Sequence, residues 1–182
     1  MRTSGSRAAV MLCVTAVMGM PAVAQAAPSA GADAPVVSYE RGHVISCSGK
    51  AGERSVTVDL YDNSLYGSFA ELHVEGPDGE FGGGATPDRL FRGGSVRTEI
   101  PVRHLGEEES PAGVARIVGL YAESGPFTPV HDVYKDNGWT IVSDGTHRQL
   151  RTRMVISLLD HTTRLTCGEA FAYDLKVTKT PL

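Results

Sequence analysis

The chain has 182 residues, with 17 Lys and Arg against 21 Asp and Glu and a formal net charge of −4. That length supplies one domain with a sizeable core. The acidity argues against a nucleic-acid partner, whose phosphates are bound by concentrated positive charge.

Arg2 and Arg7 precede the apolar run Ala8 to Val17, and Ala24-Gln25-Ala26 or Gln25-Ala26-Ala27 then offers a small-residue cleavage site. Residues 1–27 read as a secretory signal peptide, and the expected location is secreted and extracellular. The apolar run is broken at Gly19 and Pro21 and falls short of the roughly 20 residues that cross a bilayer, so no transmembrane anchor is expected. Cys13 follows Leu12 in mid-run instead of a small residue at the cleavage point, which argues against a lipid anchor. Removing 27 of the 182 residues leaves 155, with 15 basic against 21 acidic side chains and a formal net charge of −6. Leader, short linker and one β domain is an arrangement common among bacterial secreted proteins, an association that assigns no activity.

Residues 28–35 are rich in Ala, Ser, Gly and Pro and read as a flexible N-terminal segment. Residues 36–182 read as a single β domain, because a two-residue period dominates from Val36 onward. Val56, Val58 and Leu60 oppose Thr57, Asp59 and Tyr61, and Leu72 and Val74 oppose Glu71, His73 and Glu75 before the turn Gly76-Pro77-Asp78-Gly79. Gly82-Gly83-Gly84 reads as a flexible loop. Val96, Thr98 and Ile100 form the next strand, and Glu107 to Ser110 a solvated loop. Ala112 to Ala122 is apolar on much of both sides and is the candidate central strand.

Trp139 to Ser143, Gln149 to Leu159 and Arg164 to Val177 follow, with a hairpin loop expected at Asp144-Gly145 and a bulge at Gly168-Glu169. Arg148, Arg151 and Arg153 alternate with Leu150, Thr152 and Met154 and read as the solvated side of a strand. No segment of ten residues keeps a capped helical stripe. The fold class is therefore all-β, an antiparallel two-sheet sandwich of about seven to nine strands, with a closed β-barrel as the alternative.

With Cys13 removed in the leader, Cys47 and Cys167 remain and are expected to form a structural disulfide enclosing 119 residues. Such a loop is worth about 4–5 kcal/mol of constraint on the unfolded chain. The Cys-x-x-Cys spacing of a redox site is missing.

Catalytic groups occur without an assembly. No serine lies in a Gly-x-Ser-x-Gly elbow, and His43, His73, His104, His131, His147 and His161 stand singly outside any zinc motif. Glu71 and Glu75 share a strand face about 13 Å apart, beyond the roughly 5–9.5 Å of paired glycosidase carboxylates. Enzyme status is thus open, with a non-catalytic reading ahead.

The segment Tyr121 to Asp144 is the candidate binding region. Tyr121, Phe127, Tyr134 and Trp139 supply aromatic faces, Asp132 and Asp136 supply directional acceptors, and Pro126 and Pro129 restrict the backbone. Strand-joining loops are where a sandwich carries its binding residues. Asp132, Asp136, Asn137 and Asp144 supply oxygen ligands of the kind calcium takes, but their spacing is not that of an EF-hand loop, and no cofactor is assigned. The functional expectation is a secreted, non-catalytic domain that binds an extracellular protein or glycan. A hydrolase with a dispersed active site and a structural, envelope-associated protein are the alternatives.

Overall fold

Alternation between apolar and polar residues is realised as nine strands in a computed structural model that describes residues 34–106 and 110–182. They are β1 (Val36–Ala51), β2 (Arg54–Asn63), β3 (Gly67–Gly76), β4 (Gly79–Ala85), β5 (Phe91–Arg92), β6 (Ser95–Leu105), β7 (Pro111–Asp136), β8 (Trp139–Leu158) and β9 (His161–Pro181). The expected leader, most of the 28–35 segment and Glu107 to Glu109 lie outside the described residues. No helix among the described residues is long and apolar enough to cross a membrane.

The inner face is written by the period of two. Val56, Val58 and Leu60 of β2, Ala70, Leu72 and Val74 of β3, Val96, Ile100 and Val102 of β6, and Met154, Ile156 and Leu158 of β8 are all buried. Each larger side chain among them contributes about 1.5–3 kcal/mol by leaving water. Thr57, Asp59, Glu71, His73, Glu75, Arg97 and Glu99 alternate with them on the exposed side.

All nine strands form one interconnected antiparallel sheet in the order β4-β3-β2-β1-β9-β8-β7-β6-β5. β4 pairs with β3 and also with β6, through Glu80↔Leu105, Phe81↔His104 and Gly82↔Arg103, so the chain of pairings returns on itself. The triglycine expected as a loop is therefore the strand that completes this circuit. A Cβ at Gly83 would stand 2.0 Å from the Pro101 carbonyl oxygen, so the glycine serves close backbone approach and not a turn. Beyond β4 the chain buries Leu90 in the core and sets Phe91 against the His43 ring, 4.7 Å between centroids.

Cys47 and Cys167 are joined, bridging neighbouring strands β1 and β9. Ser46 pairs with Glu169 and Cys47 with Cys167, which leaves Gly168 as the extra residue of the expected bulge. Two other expectations are corrected. Asp144-Gly145 does not turn: it lies inside β8, where a Cβ on Gly145 would stand 2.1 Å from the Asp174 carbonyl oxygen. The segment 112–122 pairs on both sides and buries Ala115 and Ile117, but Val114, Val118 and Leu120 on its other face are exposed.

The last three strands are longer than the circuit needs. Pairing of β6 with β7 ends at Leu120, and pairing of β2 with β1 begins at Gly42. Past those points β7, β8, β9 and the start of β1 continue together as a four-stranded extension. β7 enters it through a register break that skips Ser124, Gly125 and Pro126, after which Phe127 pairs with Arg148.

Candidate functional site

The region from Tyr121 to Asp144 is a β-hairpin rather than a loop. Its turn is Asn137-Gly138, with φ of 46° and 81°, closed by Asp136↔Trp139. Two successive positive φ values form the turn whose twist matches a two-residue hairpin, and asparagine followed by glycine adopts it at low cost. The long ladder then follows, because Val130, Val133, Tyr134, Ile141 and Val142 are good strand formers.

Once the hairpin is a ladder, residue parity splits the expected site between two faces. Tyr121 and Phe127 share one face with Pro129, His131 and Val133, next to Arg148, Thr146, Asp144 and Val142 of β8. Asp132, Tyr134 and Asp136 share the opposite face with Ser143, Ile141 and Trp139. The six residues thus do not share one face. Asp144 is likewise on the other face from Asp132 and Asp136, so the oxygen set weighed for calcium is not brought together. Among the described residues no group of three or more His, Cys, Asp and Glu is placed to hold a metal ion.

The Phe127 face opens into a hollow of about 200 Å³, lined in part by Arg41, Glu123, Phe127, Arg148 and Asp174. Arg148 donates to Glu123 at 2.6 Å and to the Gly125 carbonyl at 3.0 Å, and its guanidinium lies 5.1 Å from the Phe127 ring centre. Arg41 pairs with Asp174 at 2.8 Å. Deeper, the His43 ring packs against Phe91 and Tyr121. His43 Nδ1 is buried 3.5 Å from Asp62 Oδ2 and makes no hydrogen bond. Farther along the same face, His131 Nδ1 and Asp144 Oδ1 are 2.5 Å apart.

The Tyr134 face continues into a buried polar network. Glu40 and Asn63 are 9% and 2% exposed. Asn63 Oδ1 accepts from the Leu65 and Tyr66 amides, which fixes the orientation of the side chain. Its Nδ2 then lies 2.8 Å from Glu40 Oε2, 2.7 Å from Tyr61 Oη and 3.0 Å from Tyr173 Oη. Burial, reinforced by the hydrogen bond with Tyr61, holds the Tyr173 hydroxyl far above the ordinary phenol range. Burial also raises the Tyr134 hydroxyl, and the carboxylates of Asp136, Glu40 and Asp132 add to the effect.

A larger hollow, about 510 Å³, sits at the opposite ends of β7, β8 and β9, beside Arg116, Asp160 and His161. It takes none of the expected site residues, and its guanidinium is already paired with Glu99 at 2.8 Å. Glu71, His73 and Glu75 remain on an exposed strand face, where His73 and Glu75 are 3.3 Å apart. Arg41, Glu123, Arg148 and Asp174 were missed because each pairs with a residue far away in sequence. Their signal was present but slight: Arg148 has the parity of Leu150, so it belongs to the inner face and not with Arg151 and Arg153.

The outer edge of the hairpin is its most distinctive feature. Among the described residues, β7 from Ala122 to Asp136 has a strand neighbour in β8 alone. The hairpin closes on a hydrogen-bonded pair at Asp136↔Trp139, so even-numbered residues exchange backbone bonds with β8 and odd-numbered ones face outward. Pro129, which has no amide hydrogen, sits accordingly in an outward position. The amides of His131, Val133 and Lys135 point to the open side. Phe127, Val133 and Tyr134 along this edge are 64%, 58% and 52% exposed. Comparison with known protein families, with characterised proteins and with solved structures finds no match to this chain.

Proposed function

We propose that this chain is an exported, non-catalytic binding domain that holds an extracellular protein by accepting an extended segment of it as a further strand on β7. The observation that carries this reading is the unpaired edge from Phe127 to Asp136, with exposed side chains on both of its faces. Strand addition draws affinity from backbone hydrogen bonds and specificity from alternate side chains. In this reading the closed circuit of pairings acts as a small β-barrel, and the hairpin is a rigid arm built on it. A glycan is the weaker candidate. Phe127 is capped by Arg148, and on the other face, where Tyr134 and Trp139 do stand with Asp132 and Asp136, a sugar would make no use of the open row of backbone amides.

The test is a panel of extracellular proteins and glycans probed with the mature chain, Val133→Pro and Phe127→Ala. Val133→Pro deletes one outward amide and leaves the β8 ladder bonded, so protein binding should fall while the melting temperature holds. Undiminished binding by Val133→Pro, or binding confined to glycans, would overturn the reading. Export is checked by intact mass: the secreted product should start at Ala27 or Pro28, and a retained leader would refute processing.

A further inference from the structure

A strand added to β7 would lie between two unlike rows of side chains. One row is Phe127, Pro129, His131, Val133 and Lys135; the other is Thr128, Val130, Asp132, Tyr134 and Asp136. The second row is acidic. Asp132 and Asp136 flank Tyr134, and the buried carboxylate of Glu40 acts on the same hydroxyl. Lys179, a cation of that face, stands two strands away beside Ile141.

Cross-strand neighbours of opposite charge stabilise a sheet and like charges destabilise it. A second copy of this chain is therefore a poor occupant. Two β7 edges paired antiparallel about Tyr134 would set each Asp132 directly against the other copy's Asp136. Resting on the reading that this edge accepts a strand, we infer that the occupant is an extended segment of another protein. It carries Lys or Arg at alternate positions on the side shared with Asp132 and Asp136, and apolar residues on the side shared with Phe127 and Val133.

Three synthetic ten-residue peptides test this, alternating Val with Lys, Val with Ser and Val with Glu, each fluorescently labelled and titrated against the mature protein at low salt. The Val-Lys peptide should bind about tenfold tighter than the Val-Ser peptide, and the Val-Glu peptide more weakly than either. High salt and the double variant Asp132→Asn with Asp136→Asn should each erase most of that ranking. Val133→Pro should lose all three peptides, and His131→Pro, which removes a different outward amide, serves if that variant does not fold. Equal affinities for the three peptides, all lost in the proline variant, would overturn the charge assignment and leave strand addition standing. No binding of any peptide, or binding indifferent to the proline variants, would remove strand addition and the charge assignment with it.

Discussion

Asn63 donates to Glu40 at 2.8 Å across 23 residues of sequence, and this bond ties the end of β2 to the start of β1 where the four-stranded extension begins. Among the described residues Glu40 has one other side-chain hydrogen bond, from Ser38 Oγ at 2.9 Å. Replacing Asn63 with Ala strands a buried carboxylate and frees the Leu65 and Tyr66 amides, so it should cost about 3 kcal/mol in urea unfolding. Tyr173→Phe removes one hydroxyl from the same network and should cost about 1 kcal/mol. The two losses should not add, because both act on one set of bonds. Strict additivity would mean that the network does not behave as a unit.

Closure through β4 predicts a sharp contrast between adjacent glycines. Gly83→Ala drives a Cβ against the Pro101 carbonyl, whereas a Cβ at Gly84 meets nothing closer than the Phe69 ring at 3.6 Å. The first substitution should destabilise by about 3 kcal/mol or more and expose the amides of β4 and β6 to hydrogen exchange. The second should be within about 1 kcal/mol of the parent. Equal effects would show that the β4 and β6 pairing is not needed for stability.

The buried tyrosine predicts an alkaline limit. Tyr173 ionises with an ordinary pKa near 10.0 when unfolded and well above that when folded. A raised folded value means that its contribution is complete below about pH 10 and is lost as the pH rises toward the folded value. Above pH 10, stability should fall by about 1.4 kcal/mol per pH unit from this group. Tyr173→Phe should flatten that part of the profile, and an unchanged slope in the variant would assign the limit to other groups.

Reduction of the Cys47–Cys167 bridge removes a constraint across a sequence separation of 120. Cys47→Ala should lower stability by about 2–5 kcal/mol. Alkylation before reduction should leave both thiols unmodified in the parent protein, and ready labelling of native protein would contradict the bond.

Much of the strand content could be read from the sequence, because β3, β6 and β2 as far as Leu60 alternate buried and less buried residues. Glycines broke that reading. Gly83 and Gly145 are selected for the approach of a neighbouring carbonyl, yet in one dimension they look the same as glycines chosen for positive φ, such as Gly138. The segment Tyr121 to Asp144 reads as a loop in one dimension but is a hairpin: Pro126 falls in a register break and Pro129 on an open edge, both of which tolerate proline. Had the segment been taken as a strand, simple parity would have separated Phe127 from Tyr134. The pairing of Arg41 with Asp174 and the meeting of Glu40 with Asn63 depend on strand order, which no local pattern encodes.

Val36 pairs with Lys179, and Trp139 pairs with Pro181, so the first and last strands run out side by side next to the hairpin tip. Adjacent strands are about 4.8 Å apart, a gap that a few residues bridge. Joining Pro35 to Leu182 through a short linker and opening the chain in the Ser64 to Tyr66 turn would give a circular permutant that keeps every ladder. A tether carried on from Leu182 has the opposite property: the Leu182 amide donates to the Gly138 carbonyl, so the tether would leave at the hairpin tip, next to the open edge.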